Sequence, residues 1–331
     1  MDKILFKKEA QIDLICIGRL GVDLNCDDVN CSLKDVKSFH PTVGGSPANI
    51  AIGSRKQGIK VGVISKISSD AIGEYVMSEL ERYGIDTSNV SKDNEGAKNC
   101  LAITEIKAPN ECGGILYRDN VADLNLTYED ISEEYIKNAK AILVSGTALA
   151  ASPSREATLL AIYYAKKNGT KVIMDIDYRP YTWRSMEETS FYTSMACKAC
   201  DIIIGTREEF DVVEYLYDKE NMDDEVSAKR WINKETELVV VKRGEDGSTA
   251  WTNEGDEISH PIYPADLKKT FGAGDAYASG FVSTLIKGGD ILTAMGNGSA
   301  SATIVVSGYD CSKTSPTSEE LAEYRRTHKT K

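Results

Sequence analysis

Residues 269–275, Lys-Thr-Phe-Gly-Ala-Gly-Asp, place two glycines and a carboxylate directly before a helical pattern. The first turn of a helix has backbone N–H groups without acceptors, and its positive end favours an anion. Small residues let a phosphate approach those amides, so we expect Gly272, Ala273 and Gly274 to form an anion site. The same dipole is expected to keep Asp275 ionised. An anion site beside a base is what phosphoryl transfer to an alcohol requires.

Residues 43–50, Val-Gly-Gly-Ser-Pro-Ala-Asn-Ile, also lead from glycines into a helix. Alone, the loop before Asp275 is equally consistent with a tight turn and a helix-start residue. Together, GGSPANIA and KTFGAGDAYASG resemble, in order and separation, the two signatures of the ribokinase-like (PfkB) carbohydrate kinases. The resemblance runs from about residue 12 to residue 310. It implies a doubly wound, mostly parallel α/β domain with a small β-sheet lid, ATP as the donor and Mg²⁺ as the cofactor.

The resemblance implies a role for each residue that matches the family's motifs. Asp275 is the catalytic base, and the amides of residues 272–274 form the anion hole. Four residues are expected to bind the acceptor's hydroxyl groups: Asp23, Gly44, Gly45 and Asn49. The structural alternatives are a plain turn for the two glycines and an ordinary helix-face position for Asn49.

On the nucleotide side, six residues are expected to contribute: Thr206, Lys242, Gly244, Gly247, Asn297 and Ser301. Glu209 is expected to order a magnesium-bound water, although Thr206 stands where the family usually has Asn. Thr-x-x-Glu is also a capping box that starts a helix without any other function. Lys242 is alternatively a solvated lysine at a strand end, and Asn297 and Ser301 alternatively pack one helix against another.

Lys269 departs from the family pattern. Many relatives have Asp at this position, where it helps to bind a monovalent cation. A fixed ammonium replaces the charge of that ion, so we expect little dependence on potassium.

Two arginines bear on the choice of acceptor. Arg118 ends the segment Ile-Leu-Tyr-Arg, and Arg179 follows an apolar run that ends near Asp175. An arginine at the carboxyl end of a strand in a doubly wound fold points into the ligand crevice, and its planar fork suits a carboxylate. We therefore expect Tyr117, Arg118 and Arg179 to bind an acidic acceptor. Alternatively, the arginines form structural ion pairs, Arg179 with Asp175 or Asp177 and Arg118 with Asp119 or Asp123.

These segments resemble the branch of the family that phosphorylates sugar acids. The implied acceptor is 5-dehydro-2-deoxy-D-gluconate of myo-inositol catabolism, phosphorylated at its 6-hydroxyl. 2-Dehydro-3-deoxygluconate is the alternative, since its kinases share similar segments, but Asp177 stands where they have Asn. Neutral acceptors such as fructose or ribose come third.

Apolar, β-branched runs alternate with amphipathic patterns along the chain. Buried strands are predicted at 12–18, 61–67, 141–146, 171–176, 201–205 and 237–242. Helices are predicted at 46–58, 70–83, 153–168, 188–199, 206–217, 275–287 and 290–306. This alternation predicts a mostly parallel sheet covered on both faces. Residues 19–43 and about 97–127 break the alternation and predict a small lid sheet inserted in a single domain of residues 1–331.

Composition restricts the partners. The net charge of −12, without a compensating basic block, argues against nucleic acid. The charged N-terminal segment and the lack of a long apolar run favour a cytoplasmic protein with no membrane partner. The expected partner is therefore a small molecule, and the edges of the lid sheet would allow a homodimer.

Other functional classes fit less well. A dinucleotide-dependent oxidoreductase would need a third glycine after Gly18 and Gly21, and a Walker-type NTPase would need a Gly-Lys pair. A non-catalytic sugar-binding relative stays open, and measuring ATP turnover with a sugar acid distinguishes it from a kinase.

Overall fold

The computed structural model describes residues 3–331, and thirteen strands lie within them. In chain order the strands are β1 (Ile12–Ile17), β2 (Gly21–Cys26), β3 (Phe39–Gly44), β4 (Val61–Ser68), β5 (Asp86–Asp93), β6 (Cys100–Ala108), β7 (Glu111–Tyr117), β8 (Ala139–Ser145), β9 (Lys171–Asp175), β10 (Ile202–Thr206), β11 (Leu238–Lys242), β12 (Ser248–Thr252) and β13 (Glu257–His260). The α-helices of the same residues are α1 (Ser46–Lys56), α2 (Ala71–Arg82), α3 (Glu133–Lys137), α4 (Ser154–Lys167), α5 (Met186–Cys197), α6 (Arg207–Asp218), α7 (Asp224–Trp231), α8 (Ala273–Ile286), α9 (Ile291–Val306) and α10 (Ser318–Thr327).

Nine strands form the larger sheet, in the order β13-β12-β11-β10-β9-β8-β1-β4-β5. The strands from β11 to β5 pair parallel to one another, and β12 and β13 add an antiparallel edge. The predicted fold class is confirmed, and each predicted strand and helix lies within two residues of its observed bounds. No helix in the described part of the chain is long and apolar enough to cross a membrane.

The larger sheet is buried on both faces, which explains its continuous apolar runs. Successive side chains of a strand point to opposite faces, so Leu14 of β1 lies in one apolar layer and Ile15 in the other. The first layer includes side chains of α1, α2, α8 and α9, and the second includes side chains of α4, α5, α6 and α7. The helices on both faces of the sheet hold the strand ends in place, and the candidate site is built from these ends.

The smaller sheet has the order β3-β2-β6-β7. Its central strands β2 and β6 run parallel, although they come from separate segments of the chain, and β3 and β7 pair antiparallel at the edges. Val22 and Val43 anchor this sheet in the first apolar layer of the body. The sheet therefore stands over the end of the larger sheet near the start of α1.

His40 of β3 links the smaller sheet to the body. Its Nδ1 lies 2.6 Å from Asp27 Oδ1, and its Nε2 lies 2.7 Å from Asp310 Oδ1, in the segment after α9. The hydrogen bond with Asp310 and the weaker contribution of Asp27 raise the pKa of His40, against the opposing effect of burial. Only the protonated ring donates to both carboxylates at once.

We expect His40→Gln to destabilise the protein more at low pH than at high pH. Because folding raises the pKa of His40, its stabilising contribution is complete below the unfolded value of about 6.5 and is lost as the pH rises through the folded value. The free energy of urea unfolding, measured for both proteins at about pH 6 and about pH 9, gives this difference. An equal loss at both pH values would contradict the assignment.

Candidate active site

Helix α8 begins at the predicted anion loop. Gly272 is the N-cap, with φ +84°, and a Cβ there would lie 2.6 Å from Cys311 Sγ. Glycine is therefore required both by the left-handed backbone and by the close packing. The first-turn amides of α8 have no acceptor within the helix, so the predicted anion site has the expected form.

Asp275 lies in the first turn of α8 and accepts a hydrogen bond of 2.8 Å from Asn49 Nδ2 of α1. Burial and the nearby Asp177 carboxylate raise the pKa of Asp275, while Asn49 and Arg179 oppose them. The helix dipole is therefore not the largest influence on this carboxylate, because burial and a like charge raise its pKa. The result is a more basic carboxylate beside open amides.

A cavity of about 510 Å³ lies between the smaller sheet and the body. Its lining includes these predicted residues: Asp23, Gly45, Asn49, Arg179, Gly272 and Asp275. Gly44 lies directly beneath Asp23, because a Cβ at Gly44 would be 2.0 Å from Asp23 Oδ1. Burial raises the pKa of Asp23 to about 6, with Arg19 and Lys269 lowering it and Asp275 raising it. Residues distant in sequence thus surround one space.

Asp177 holds Arg179, which lines the cavity. It accepts hydrogen bonds from Ser145 Oγ at 2.7 Å and pairs with Arg179 Nη2 at 2.8 Å. The structural alternative for Arg179 is therefore observed, yet the same side chain also lines the cavity and is 37% exposed.

Arg118 and Tyr117 do not line the cavity. Both terminal nitrogens of Arg118 bind the Asp123 carboxylate, at 3.1 and 2.7 Å, and this pair is buried. Tyr117 is 53% exposed at the end of β7. The prediction that Arg118 binds the acceptor is therefore corrected, since its fork is already occupied by Asp123, whereas the prediction for Tyr117 stays a prediction.

On the other side of α8, Lys242 lies beside the anion loop. Its Nζ is 3.5 Å from the position of a Cβ at Gly274 and 3.8 Å from Asp175 Oδ1. Burial alone lowers the pKa of Lys242, but Asp175 and the carboxylates around it raise the pKa above its ordinary value. The side chain of Lys242 is 11% exposed, so this cation is largely withdrawn from solvent. Gly244 and Gly247 form the turn between β11 and β12.

Thr206 and Glu209 form the capping box of α6. Thr206 N donates to Glu209 Oε2 at 2.8 Å, and Tyr178 N donates to Oε1 at 3.0 Å. No cluster of three or more metal-ligating side chains occurs among residues 3–331. Nucleotide-bound Mg²⁺ takes most ligands from phosphate and water, and one or two carboxylates suffice. Glu209 and Asp175 fit such an ion by their charge, because both carboxylates interact electrostatically with Lys242, which lies beside the anion loop.

Asn297 and Ser301 do not line the cavity beside the anion loop. Asn297 donates to Thr284 Oγ1 and accepts from Arg325, both at 2.8 Å, beside a second cavity of about 460 Å³. Ser301 is fully buried and accepts from Gln57 Nε2 at 3.4 Å. The expectation that Ser301 lines a nucleotide pocket is corrected, because α9 packs this hydroxyl against α8.

Sequence analysis identified one of two further cationic residues at the site, Lys269, and missed the other, Arg19. Lys269, singled out as a departure from the family pattern, is fully buried, and its Nζ donates to Phe271 O at 2.7 Å beside Cys311 Sγ at 3.5 Å. Arg19 was missed, although it follows β1 as Arg179 follows β9, and it lines the cavity. The rule that selected Arg179 would also have selected Arg19.

Comparison with known proteins gives a consistent result. Residues 11–318 match the family described as pfkB family carbohydrate kinase. A 5-dehydro-2-deoxygluconokinase from Geobacillus kaustophilus is 46% identical over 329 residues, which cover 99% of this chain and 98% of that protein. A 5-dehydro-2-deoxygluconokinase 2 from Bacillus cereus is 47% identical over 324 residues, covering 98% of both chains.

Among solved structures, a ribokinase II candidate from E. coli in complex with ATP and Mg²⁺ is similar in fold. It has a TM-score of 0.85 at 19% identity, and the match covers 96% of this chain and 100% of that one. At this identity the likeness shows the ribokinase-like fold alone.

Proposed function

The chain belongs to the pfkB family of carbohydrate kinases, and we propose that it transfers a phosphoryl group from ATP to the 6-hydroxyl of 5-dehydro-2-deoxy-D-gluconate. It is an ATP-dependent sugar kinase, and myo-inositol catabolism is consistent with the name of its relatives. The observation that carries the proposal is Asp275, a partly buried and basic carboxylate held by Asn49 at the head of α8, at the wall of the cavity.

We propose the following division of work. Asp275 accepts the proton of the acceptor hydroxyl as that oxygen attacks the terminal phosphorus. The amides of residues 272–274 stabilise the negative charge that develops on the phosphoryl oxygens. Asp23, Gly44, Gly45 and Asn49 position the acceptor's other hydroxyl groups, so that the reacting oxygen stays close to Asp275.

The nucleotide lies, in this proposal, on the side of α8 that faces Lys242. Lys242 supplies a buried positive charge for the phosphates, and Thr206, Gly244, Gly247 and Asn297 stay proposed contacts of the nucleotide. Mg²⁺, when bound, neutralises charge on the phosphate oxygens. Glu209 and Asp175 would hold it through water or directly, and the ATP and Mg²⁺ bound in the E. coli neighbour support this requirement.

Further parts of the proposal concern the whole protein. We propose that residues 1–331 act as one catalytic domain in which the smaller sheet is a lid over the acceptor. An edge of that sheet would pair with a second copy of the chain. We also propose a cytoplasmic enzyme. 2-Dehydro-3-deoxygluconate is the alternative acceptor, and a non-catalytic sugar-binding protein is the alternative of a different class.

An ADP-release assay across sugar acids and neutral hexoses tests the acceptor. We expect kcat/KM to be highest for 5-dehydro-2-deoxygluconate, lower for 2-dehydro-3-deoxygluconate and lowest for fructose and ribose. A preference for a neutral sugar would contradict the proposed acceptor, and no ADP release with any of them would favour the non-catalytic alternative.

We expect Asp275→Asn to lower kcat by roughly 10²–10⁴-fold while ATP still binds, since only the base is lost. The exposed Asp266→Asn, upstream of the same loop, is the control and should retain normal turnover. In the wild type, kcat should fall as the pH drops through the raised pKa of Asp275, above the range of a solvated Asp near 3.9. Near-normal turnover in Asp275→Asn would remove Asp275 from its role.

We expect the rate to be nearly the same in potassium, sodium and tetramethylammonium chlorides at equal ionic strength. The buried ammonium of Lys269 already bonds to the carbonyl of Phe271 in the anion loop, so an added ion has no charge to supply. The half-exposed Lys268, which pairs with Asp266, provides the control: Lys268→Met should behave as wild type, and Lys269→Met should lose activity. Strong activation of the wild type by potassium would contradict the prediction.

A further inference from the structure

Arg19 is a buried cation with unused hydrogen-bond donors. The residue is 9% exposed and lines the 510 Å³ cavity, and its Nε is buried without a hydrogen-bond partner in the described part of the chain. Its Nη1 is 3.5 Å from Cys100 Sγ, and a thiol is only a weak acceptor. A buried donor without a partner costs free energy unless a ligand supplies the acceptor.

The other arginines near the small sheet and the cavity are already committed. Arg118 is held by both oxygens of Asp123, and Arg179 pairs with Asp177 at 2.8 Å and donates to Tyr178 O at 2.9 Å. No ion pair between residues 3–331 includes Arg19, although Asp23 and Asp177 are close enough to raise its pKa. The charge of Arg19 is therefore balanced by carboxylates that do not contact it, and its guanidinium can still bind an anionic ligand directly.

The start of α1 adds a second positive element at the same place. Gly45 is the N-cap of α1, a Cβ there would lie 3.5 Å from Arg19 Cγ, and the first turn of α1 contains no acidic residue. A helix of 11 residues has an N-terminus that favours an anion. The cavity thus has two positive ends, one at α8 beside Asp275 and one at α1 beside Arg19.

We propose that Arg19 recognises the carboxylate of the acceptor and makes the enzyme specific for an acid. This inference rests on the proposed function. Asn49, which holds Asp275, follows Gly45 by four residues, or about 6 Å along α1. An extended six-carbon acid has a comparable length, so its carboxylate reaches Arg19 while its 6-hydroxyl meets Asp275. The planar guanidinium offers the paired donors that a carboxylate accepts.

The test compares 5-dehydro-2-deoxygluconate with its C1 amide, which has the same shape but carries no charge and has an NH2 donor in place of one acceptor oxygen. We expect Arg19→Met to raise the KM for the acid by about 10- to 100-fold, to leave the KM for ATP unchanged and to abolish the preference for the acid over the amide. Arg19→Lys keeps the charge but loses the fork, so its loss should be smaller. Because the acid-to-amide ratio is the readout, this second variant decides the question if Arg19→Met does not fold.

Arg155→Met is the matched control. Arg155 is buried to a similar degree, at 7% exposed, but its nitrogens bind Leu149 O, Ala150 O and Glu188 outside the cavity. We expect this control to keep the wild-type ratio. An unchanged ratio in the Arg19 variants, or a wild type that does not distinguish acid from amide, would overturn the inference. A wild type that phosphorylates neutral sugars but no sugar acid would instead overturn the proposed function.

Discussion

The structure depends on Asp275, a carboxylate at the head of α8 that is partly withdrawn from solvent and yet able to ionise. Asp275 lies near two buried acids, Asp175 and Asp177, and desolvation together with repulsion among the carboxylates raises the pKa of Asp275 and of Asp175. Lys242 and Arg179 limit the repulsion from two sides. Removing water around such a cluster strengthens each interaction in it, and this is the condition that an acid–base reaction with a sugar alcohol needs.

The fold provides this condition by bringing several chain segments together at one end of the larger sheet. β9 and β11 bring Asp175 and Lys242 to the carboxyl end of the larger sheet, and α1 and α8 point their positive ends at the same region. The smaller sheet closes the remaining side with residues from β6 and β7. An apolar layer fixes each helix on the sheet, and this apolar packing positions the polar groups of the site.

Sequence reasoning predicted the regular parts of the fold because their patterns are strong. Apolar runs predicted six of the parallel strands. The elements β5, β12, β13, α3, α7 and α10 were missed; Asp86–Asp93 is largely polar, and α10 buries only Leu321. At the site, motifs located Asp275, Asn49 and Asp23. The partners of the arginines were predictable only in part. The pairing of Arg118 with Asp123, five residues away, was among the alternatives, whereas tertiary packing alone brings Arg19 close to Cys100.

The side chain of Asp23 fills the space that a side chain at position 44 would need. The carboxylate of Asp23 lies where any Cβ at position 44 would be placed, 2.0 Å away. A side chain at position 44 would therefore displace the Asp23 carboxylate, so the residues that each of the two positions accepts depend on the other. A change at position 44 would alter acceptor binding through Asp23 even though glycine has no side chain of its own to touch the sugar.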